Sequence, residues 1–414
     1  MPIGSRGCRL MAKISAGLKS PFPQQLAFFR RKVNVPTATW TGLWRGDHSH
    51  GFMVAGVARS DLLESIRQAV GRGQAGQSFD AFKRDFRKIV AAAGWEPKGG
   101  TDWRARVIYD TNIRQAFNAG RYAQLTDPDM LAVRPCWVYQ HSPESKWPRP
   151  LHLSWDRVTL RADDPWWKTH MPMNGWGCKC RVRAVSRRDI EREGLTLRDS
   201  GPDDGTRQWT DKTTGEVHDV PNGIDPGFDY SPGEQAASMP AAAAFGQRIL
   251  QMPPTWRGVA LRDAQTRQAD YFQAWPDQVE RMIDGGPAGY VAPAGFLRAS
   301  TLSTLETRGV PVQSTLLAAS DDAVRSSVNA GLQRSVLDDL PRALASNSTA
   351  VFLDLSVPAE PAIVFALLQP DGQWVAHAFA TSQQGRVAAI WFSQSRAVSA
   401  ETLRRLVWLE GPKP

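Results

Sequence analysis

Apolar residues recur at helical spacing through the first third of the chain. Residues 24–32 carry Leu26, Phe28 and Phe29, and the run ends at Asn34-Val35-Pro36, because the position before a proline disfavours helix. Ser60 stands as the cap of a helix bearing Leu62, Leu63, Ile66 and Val70 on one face. After Gly71, Gly73 and Gly76, Ser78 stands as the cap of another, with Phe79, Phe82, Phe86, Ile89 and Val90 in register and Gly94 closing it. A third runs from Thr101 to about Leu125, with Ala105, Ile108, Tyr109, Ile113, Ala116 and Phe117 on one stripe. Each stripe needs a partner to be buried, so residues 20–130 are expected to form a helical bundle.

The pattern changes at 131. Trp137, Trp147, Trp155, Trp166, Trp167 and Trp176 fall among many Pro and Gly residues, and short strands fit 136–140 and 179–184. Such aromatic density in a loop-rich stretch predicts loops that fold on themselves or on a partner. A short helix is expected over 186–193, and the polar, turn-rich 200–244 reads as a linker or arm. Beyond it, 245–414 reads as a mixed domain. Helices are expected over 263–283, 322–344 and 399–408, and strands over 310–317, 349–355, 362–368, 374–380 and 387–392. Pro370-Asp371-Gly372 predicts a hairpin turn within that series. The fold class expected is therefore α+β: an amino-terminal helical bundle with a Trp/Cys-rich module of loops and short strands (131–199), a linker, and a carboxy-terminal α+β domain with an antiparallel meander. Residues 1–19, basic and only briefly apolar, read as a mobile terminus.

A chain of 414 residues with 42% hydrophobic positions is long enough for two or three cores. It has no run of eighteen apolar residues, so no membrane span is expected. Charge is uneven: residues 1–200 hold 33 Lys and Arg against 18 Asp and Glu, and residues 201–414 hold 17 against 23. A positive amino-terminal half suits nearby packaged DNA or an acidic protein ring, and equally a plain solvated surface. The four cysteines, Cys8, Cys136, Cys178 and Cys180, are too few for a disulfide scaffold.

Three of those cysteines lie within 45 residues of one another, together with His141, His152 and His170. In a strand, residues two apart share a face, so Cys178 and Cys180 can both address one Zn²⁺, with Cys136 and His152 or His170 completing a tetrahedron. Zinc ribbons space their paired cysteines by two residues rather than one, and the thiols read equally as small buried apolar groups. In the last domain His377 is the single histidine. With Arg325, Arg386, Thr381 and Ser382 as companions it is the one weak catalytic candidate, and a histidine within a strand more often packs than reacts. No phosphate-binding Gly-rich loop ending in Gly-Lys, no His-Glu-x-x-His and no Gly-x-Ser-x-Gly is present.

The run Pro172–Arg181, written Pro-x-Asn-Gly-Trp-x-Cys-x-Cys-Arg, resembles the signature of the phage Mu F-protein-like family of minor head proteins, within the broader phage head-morphogenesis group. So do His152–Asp156 (His-x-Ser-Trp-Asp), the helical stretches Thr111–Ala116 and Arg121-Tyr122, and the tail-like run Asn222–Phe228. Phe28, Phe29, Lys32 and residues 40–52 fit as well, so the resemblance spans about 20–235. It implies a structural virion protein of a Mu-like phage or prophage, present in few copies in the head, and in the host cytoplasm during assembly. Such a protein acts in head morphogenesis, genome packaging or ejection beside the portal or major capsid protein. Trp155, Trp166, Trp167 and Trp176 are then the expected docking residues. Proteins of this family are sometimes fused to toxin-like nucleases, so the alternative is a virion-associated effector whose payload is 245–414. The acidic balance of that half weighs against a grip on RNA.

Overall fold

The structure, a computed structural model, describes residues 21–144, 148–357, 360–381 and 387–414. Residues 1–19, Cys8, Trp147, Ser382 and Arg386 lie outside the described residues. The chain divides into two compact units: one of residues up to Arg30 and Pro36–Ala237, the other of Arg31–Val35 and Ser238–Pro414.

In the amino-terminal unit the helical stripes form α1 (Pro23–Arg30), α2 (Ser60–Gln74), α3 (Phe79–Ala93) and α4 (Thr101–Leu125). Ser78 caps α3 by accepting the Ala81 N–H at 3.3 Å, and Gly94 closes it, both as the sequence predicts. Ser60 does not cap α2; it is the first helical residue, and Arg59 stands at the cap without a side-chain bond. Leu63, Ile66, Val70, Phe82, Phe86, Ala105 and Ala116 meet in one core.

The stretch after α4 is a three-stranded antiparallel sheet, with β1 (Cys136–Gln140) between β2 (Thr159–Arg161) and β3 (Arg181–Val185). Alternation sorts the residues of β1: Trp137 and Tyr139 face the aromatic core, while Cys136 and Val138 face a small cluster with Val185 and Leu195. Short helices α5 (Pro150–Ser154) and α6 (Trp167–His170) sit in the connections, and α7 (Arg187–Glu193) follows β3 behind a Ser186/Asp189 capping box. Residues 200–237, expected as a linker, are folded instead. They hold the hairpin β4 (Thr206–Thr210) and β5 (Val217–Pro221), and then bury Ile224 and Phe228 in the same core as Trp137 and Trp155. Two large apolar residues within a turn-rich run carry too little periodicity to announce that burial.

The carboxy-terminal unit is built on a seven-stranded sheet. Its spatial order is Val407–Glu410, Ala350–Asp354, Ala362–Leu368, Trp374–Ala380, Ile390–Val398, Leu316–Ser320, Val291–Phe296. Neighbours are antiparallel except Ile390–Val398 with Leu316–Ser320. The antiparallel meander is the centre of this sheet, and the chain is α+β as expected. The expected strand 310–317 lies further on, at Leu316–Ser320. Both edge strands were illegible in sequence. Val291–Phe296 contains Pro293 and Gly295, tolerated because an edge strand pairs on one side and the register breaks between them. Val407–Glu410 continues a pattern that reads as helix, yet the helix stops at Arg404. The long helices expected at 263–283 and 322–344 are each broken, into Pro254–Thr266, Gln268–Tyr271 and Trp275–Asp284, and into Asp321–Asn329, Arg334–Asp338 and Leu340–Ala345. Pro276 and Pro341 each lie in the first turn of the piece that follows a break. Within this unit the short segment Arg31–Val35 is tied in by Asp263: Asn34 donates its backbone N–H to Oδ2 at 2.6 Å and its side-chain amide to Oδ1 at 3.2 Å.

Candidate metal centre

Three of the expected ligands come together. His152 projects from α5, which Pro150 starts, and Cys178 and Cys180 lie on the approach to β3. His152 Nδ1 is 3.8 Å from Cys178 Sγ and 3.7 Å from Cys180 Sγ, and the three donor atoms lie within 4.8 Å of one another. All three residues are buried. The shared face expected of residues two apart is thus present, although Cys178 and Cys180 both precede the ladder of β3.

The fourth expected ligand is elsewhere. Cys136 points to the opposite face of β1 from Tyr139, into the Val138–Val185–Leu195 cluster, so strand parity removes it from the site. His170, the alternative, stacks on Trp166 with ring centroids 4.2 Å apart, and its Nδ1 lies 2.8 Å from Thr169 Oγ1. Burial pushes its pKa down to about 4. It is a packed aromatic residue, outside the thiol cluster.

The surrounding polar groups fix the orientation of the three. His152 Nε2 lies 2.9 Å from the Gly223 carbonyl, so that nitrogen donates to the carbonyl and Nδ1 faces the sulfurs. Gly223 approaches so closely that a Cβ there would stand 2.7 Å from the Trp155 ring and 2.9 Å from Leu151 Cβ, at a φ of +85°. The turn carrying Cys178 is held from both sides. Tyr139 donates its hydroxyl to Asn174 Oδ1 at 2.9 Å, and Asp225 accepts the Trp176 N–H at 2.8 Å and Arg149 at 2.6 Å. Gly175 is required there: a Cβ would lie 2.4 Å from the Asp225 carboxylate. Cys178 is driven well below an ordinary thiol by the hydrogen bond from Cys180, with His152 and the Asn174 amide adding to it against burial. Cys180 is driven up by its bond to Cys178 and by burial. Two cysteine sulfurs and an imidazole nitrogen facing one point make a donor set for a soft divalent cation.

Gly223 and Asp225 had escaped the sequence reading, which placed them in a linker. Their signal was available in the Asn-Gly-Ile-Asp-Pro-Gly-Phe run, where a positive-φ glycine and a carboxylate are spaced like parts of a built turn.

The docking expectation needs correction. Trp155, Trp166 and Trp167 are 1%, 8% and 3% exposed and form the module's core, with Trp155 Nε1 donating to Asp204 at 2.6 Å and Trp167 Nε1 to the Arg161 carbonyl at 2.9 Å. Rings that fill a core cannot present themselves to a partner. Trp176 alone of the four reaches the surface, at 43% exposure. It meets Trp40 edge-on at 6.2 Å and Phe228 at 4.9 Å. Trp40 and Trp44 continue to Trp209, which stacks on Trp44 at 5.5 Å, so a half-buried aromatic ladder not seen in the sequence surrounds the one exposed ring.

In the other unit, His377 lies 1% exposed with Nδ1 2.5 Å from Ser395 Oγ, and Arg325 is occupied by Asp321, Asp322 and the Met282 carbonyl. The structure therefore does not assemble the weak catalytic pair at a surface where a substrate could meet it. Among the described residues, no helix is long and apolar enough to cross a membrane.

A family model described as Phage Mu protein F like protein matches residues 60–183, which takes in His152, Cys178 and Cys180 but not Gly223 or Asp225. The chain is 28% identical over 368 residues to the putative capsid assembly protein F of Escherichia phage Mu, covering 78% of this chain and 80% of that protein. The chain is similar to phage Mu F-like proteins. The Mu-like prophage FluMu F protein of Haemophilus influenzae is 31% identical to it over 197 residues, 44% of this chain and 46% of that protein. No solved structure matches.

Proposed function

We propose that this chain is a structural minor head protein acting in capsid assembly of a Mu-like phage or prophage. One observation carries the reading: the likeness to the putative capsid assembly protein F of phage Mu runs over 80% of that protein's length, and so is not confined to one shared motif. The site adds support, because its polar groups are used to hold loops together. Asp225, Arg149, Asn174 and Tyr139 bond to one another or to backbone, in the manner of a scaffold. In this reading the chain works without turnover, beside the portal or the major capsid protein, in head morphogenesis, packaging or ejection. Its surplus of 15 positive charges in residues 1–200 (33 less 18) tolerates packaged DNA close by. Contact with the head partner runs through Trp176 and the ladder around it.

The test is made on the source phage or induced prophage. Quantitative mass spectrometry of purified heads is expected to find the chain in few copies, cross-linked to portal or major capsid protein, and a null allele is expected to lower the yield of filled heads. Heads that lack the chain, together with a null allele that packages normally, overturn the proposal.

A further inference from the structure

We propose that His152 Nδ1, Cys178 Sγ and Cys180 Sγ bind one zinc-class divalent ion, which fastens α5, the 174–178 turn and the start of β3 into a single clasp. Distances carry the inference first. Tetrahedral zinc with Zn–S near 2.3 Å and Zn–N near 2.0–2.1 Å sets sulfur and nitrogen about 3.6 Å apart. The two observed sulfur–nitrogen separations are 3.8 and 3.7 Å, and all three donor atoms lie within 4.8 Å of one another, close to the span of one zinc coordination sphere.

Orientation carries it second. A metal-bound imidazole usually donates its other N–H to a carbonyl or carboxylate, which fixes the tautomer and the ring plane. His152 does this with Gly223, and the residue accepting the proton is one where a side chain would collide with Trp155. A histidine that merely filled space would have no need of a carbonyl delivered through a positive-φ glycine at van der Waals contact. The Asp225 brace on Gly175 and Trp176 sets the second and third ligands in the same way, by holding the loop that delivers them.

Access carries it third. The thiols line a cavity of about 100 Å³ together with His141, Ser142, Arg149 and Trp176. It is polar enough for water to enter, so the ion has a route in and a water molecule takes the fourth position. Two sulfurs and one imidazole select zinc over magnesium or calcium, which prefer oxygen.

The full chain, purified under reducing conditions from zinc-supplemented medium, is expected to carry one zinc per chain. Titration of the metal-free chain with Co²⁺ is expected to give a thiolate-to-cobalt charge-transfer band and the strong visible bands of a tetrahedral site. His152→Ala, Cys178→Ser and Cys180→Ser lose both signals, and Cys136→Ser keeps them. Because the first three variants sit in a core, the wild type supplies a second measurement: zinc protects Cys178 and Cys180 from maleimide, and a chelator restores labelling, as read by peptide mapping. Less than about half an equivalent of zinc after reconstitution overturns the proposal. So does a cobalt complex without the thiolate band, loss of metal in Cys136→Ser, or identical labelling with and without zinc.

Discussion

Gly223→Ala isolates the contribution of a single missing side chain to the aromatic module. The φ of +85° costs an alanine about 1 kcal/mol. The added methyl would stand 2.7 Å from the Trp155 ring and 2.9 Å from Leu151 Cβ, inside a core where Trp155 is 1% exposed, and overpacking of this kind typically costs about 1–3 kcal/mol. The sum is about 2–4 kcal/mol. For a unit of this size each kcal/mol lowers the melting midpoint by roughly 2–4 °C, so a fall of roughly 4–16 °C is expected. Tryptophan fluorescence is the suitable probe, because 11 of the 16 tryptophans lie in residues 1–237 and the signal reports that unit. Gly215→Ala is the control: its φ is +76° and a Cβ there meets nothing within 4 Å, so it bears the backbone cost alone, about 1 kcal/mol and roughly 2–4 °C. If the two variants melt within about 2 °C of each other, the close-approach reasoning is refuted, and the placement of the His152 carbonyl partner goes with it.

Trp155→Ala is expected to cost about 3–5 kcal/mol and to leave Asp204 without its indole partner, whereas Trp176→Ala melts almost like wild type and yet reduces incorporation into heads. Equal effects of the two on incorporation per folded molecule would contradict the assignment of Trp176 to the surface. Asp225→Ala removes the brace on Arg149 and the Trp176 amide, both partly exposed, and is expected to cost about 1–2 kcal/mol and to speed hydrogen exchange at Trp176; unchanged exchange there would count against it. His377 is held neutral, with burial pushing its pKa down to about 4 from 6.5. Its contribution is therefore complete above pH 6.5 and is lost as pH falls towards 4, about 3 kcal/mol in all. A stability profile of His377→Phe as steep as wild type between pH 6.5 and 4 would refute this.

Legibility followed periodicity. The amphipathic helices of the bundle were readable because Phe82, Phe86 and Val90 repeat on one face over fifteen residues, and the central meander because its strands alternate or run apolar between clear turns. The edge strand with Pro293 was not, since proline denies a strand until its place at the edge is known. At the site, the Cys-x-Cys pair and His152 were readable as ligand types, but the face of Cys136 depended on a strand register that is set by β2 and β3 rather than by local residues. The tryptophan-rich stretch was expected to fold on itself or on a partner, and Trp155, Trp166, Trp167 and Trp176 were assigned to the partner. The structure shows small residues making room for the rings, as where Gly201 lets Trp166 lie within 2.2 Å of an imagined Cβ.

The short segment Arg31–Val35 has a practical consequence for dissecting the chain. It is covalently part of the amino-terminal stretch but structurally part of the sheet-bearing unit, anchored through Asn34 to Asp263. A protease nick after Ala237 should therefore release no free carboxy-terminal piece under native conditions, because the longer product still donates five residues to the shorter. Recombinant truncations that begin at 238 leave the Asp263 carboxylate with Arg267 alone, and supplying the missing pentapeptide in trans should restore them.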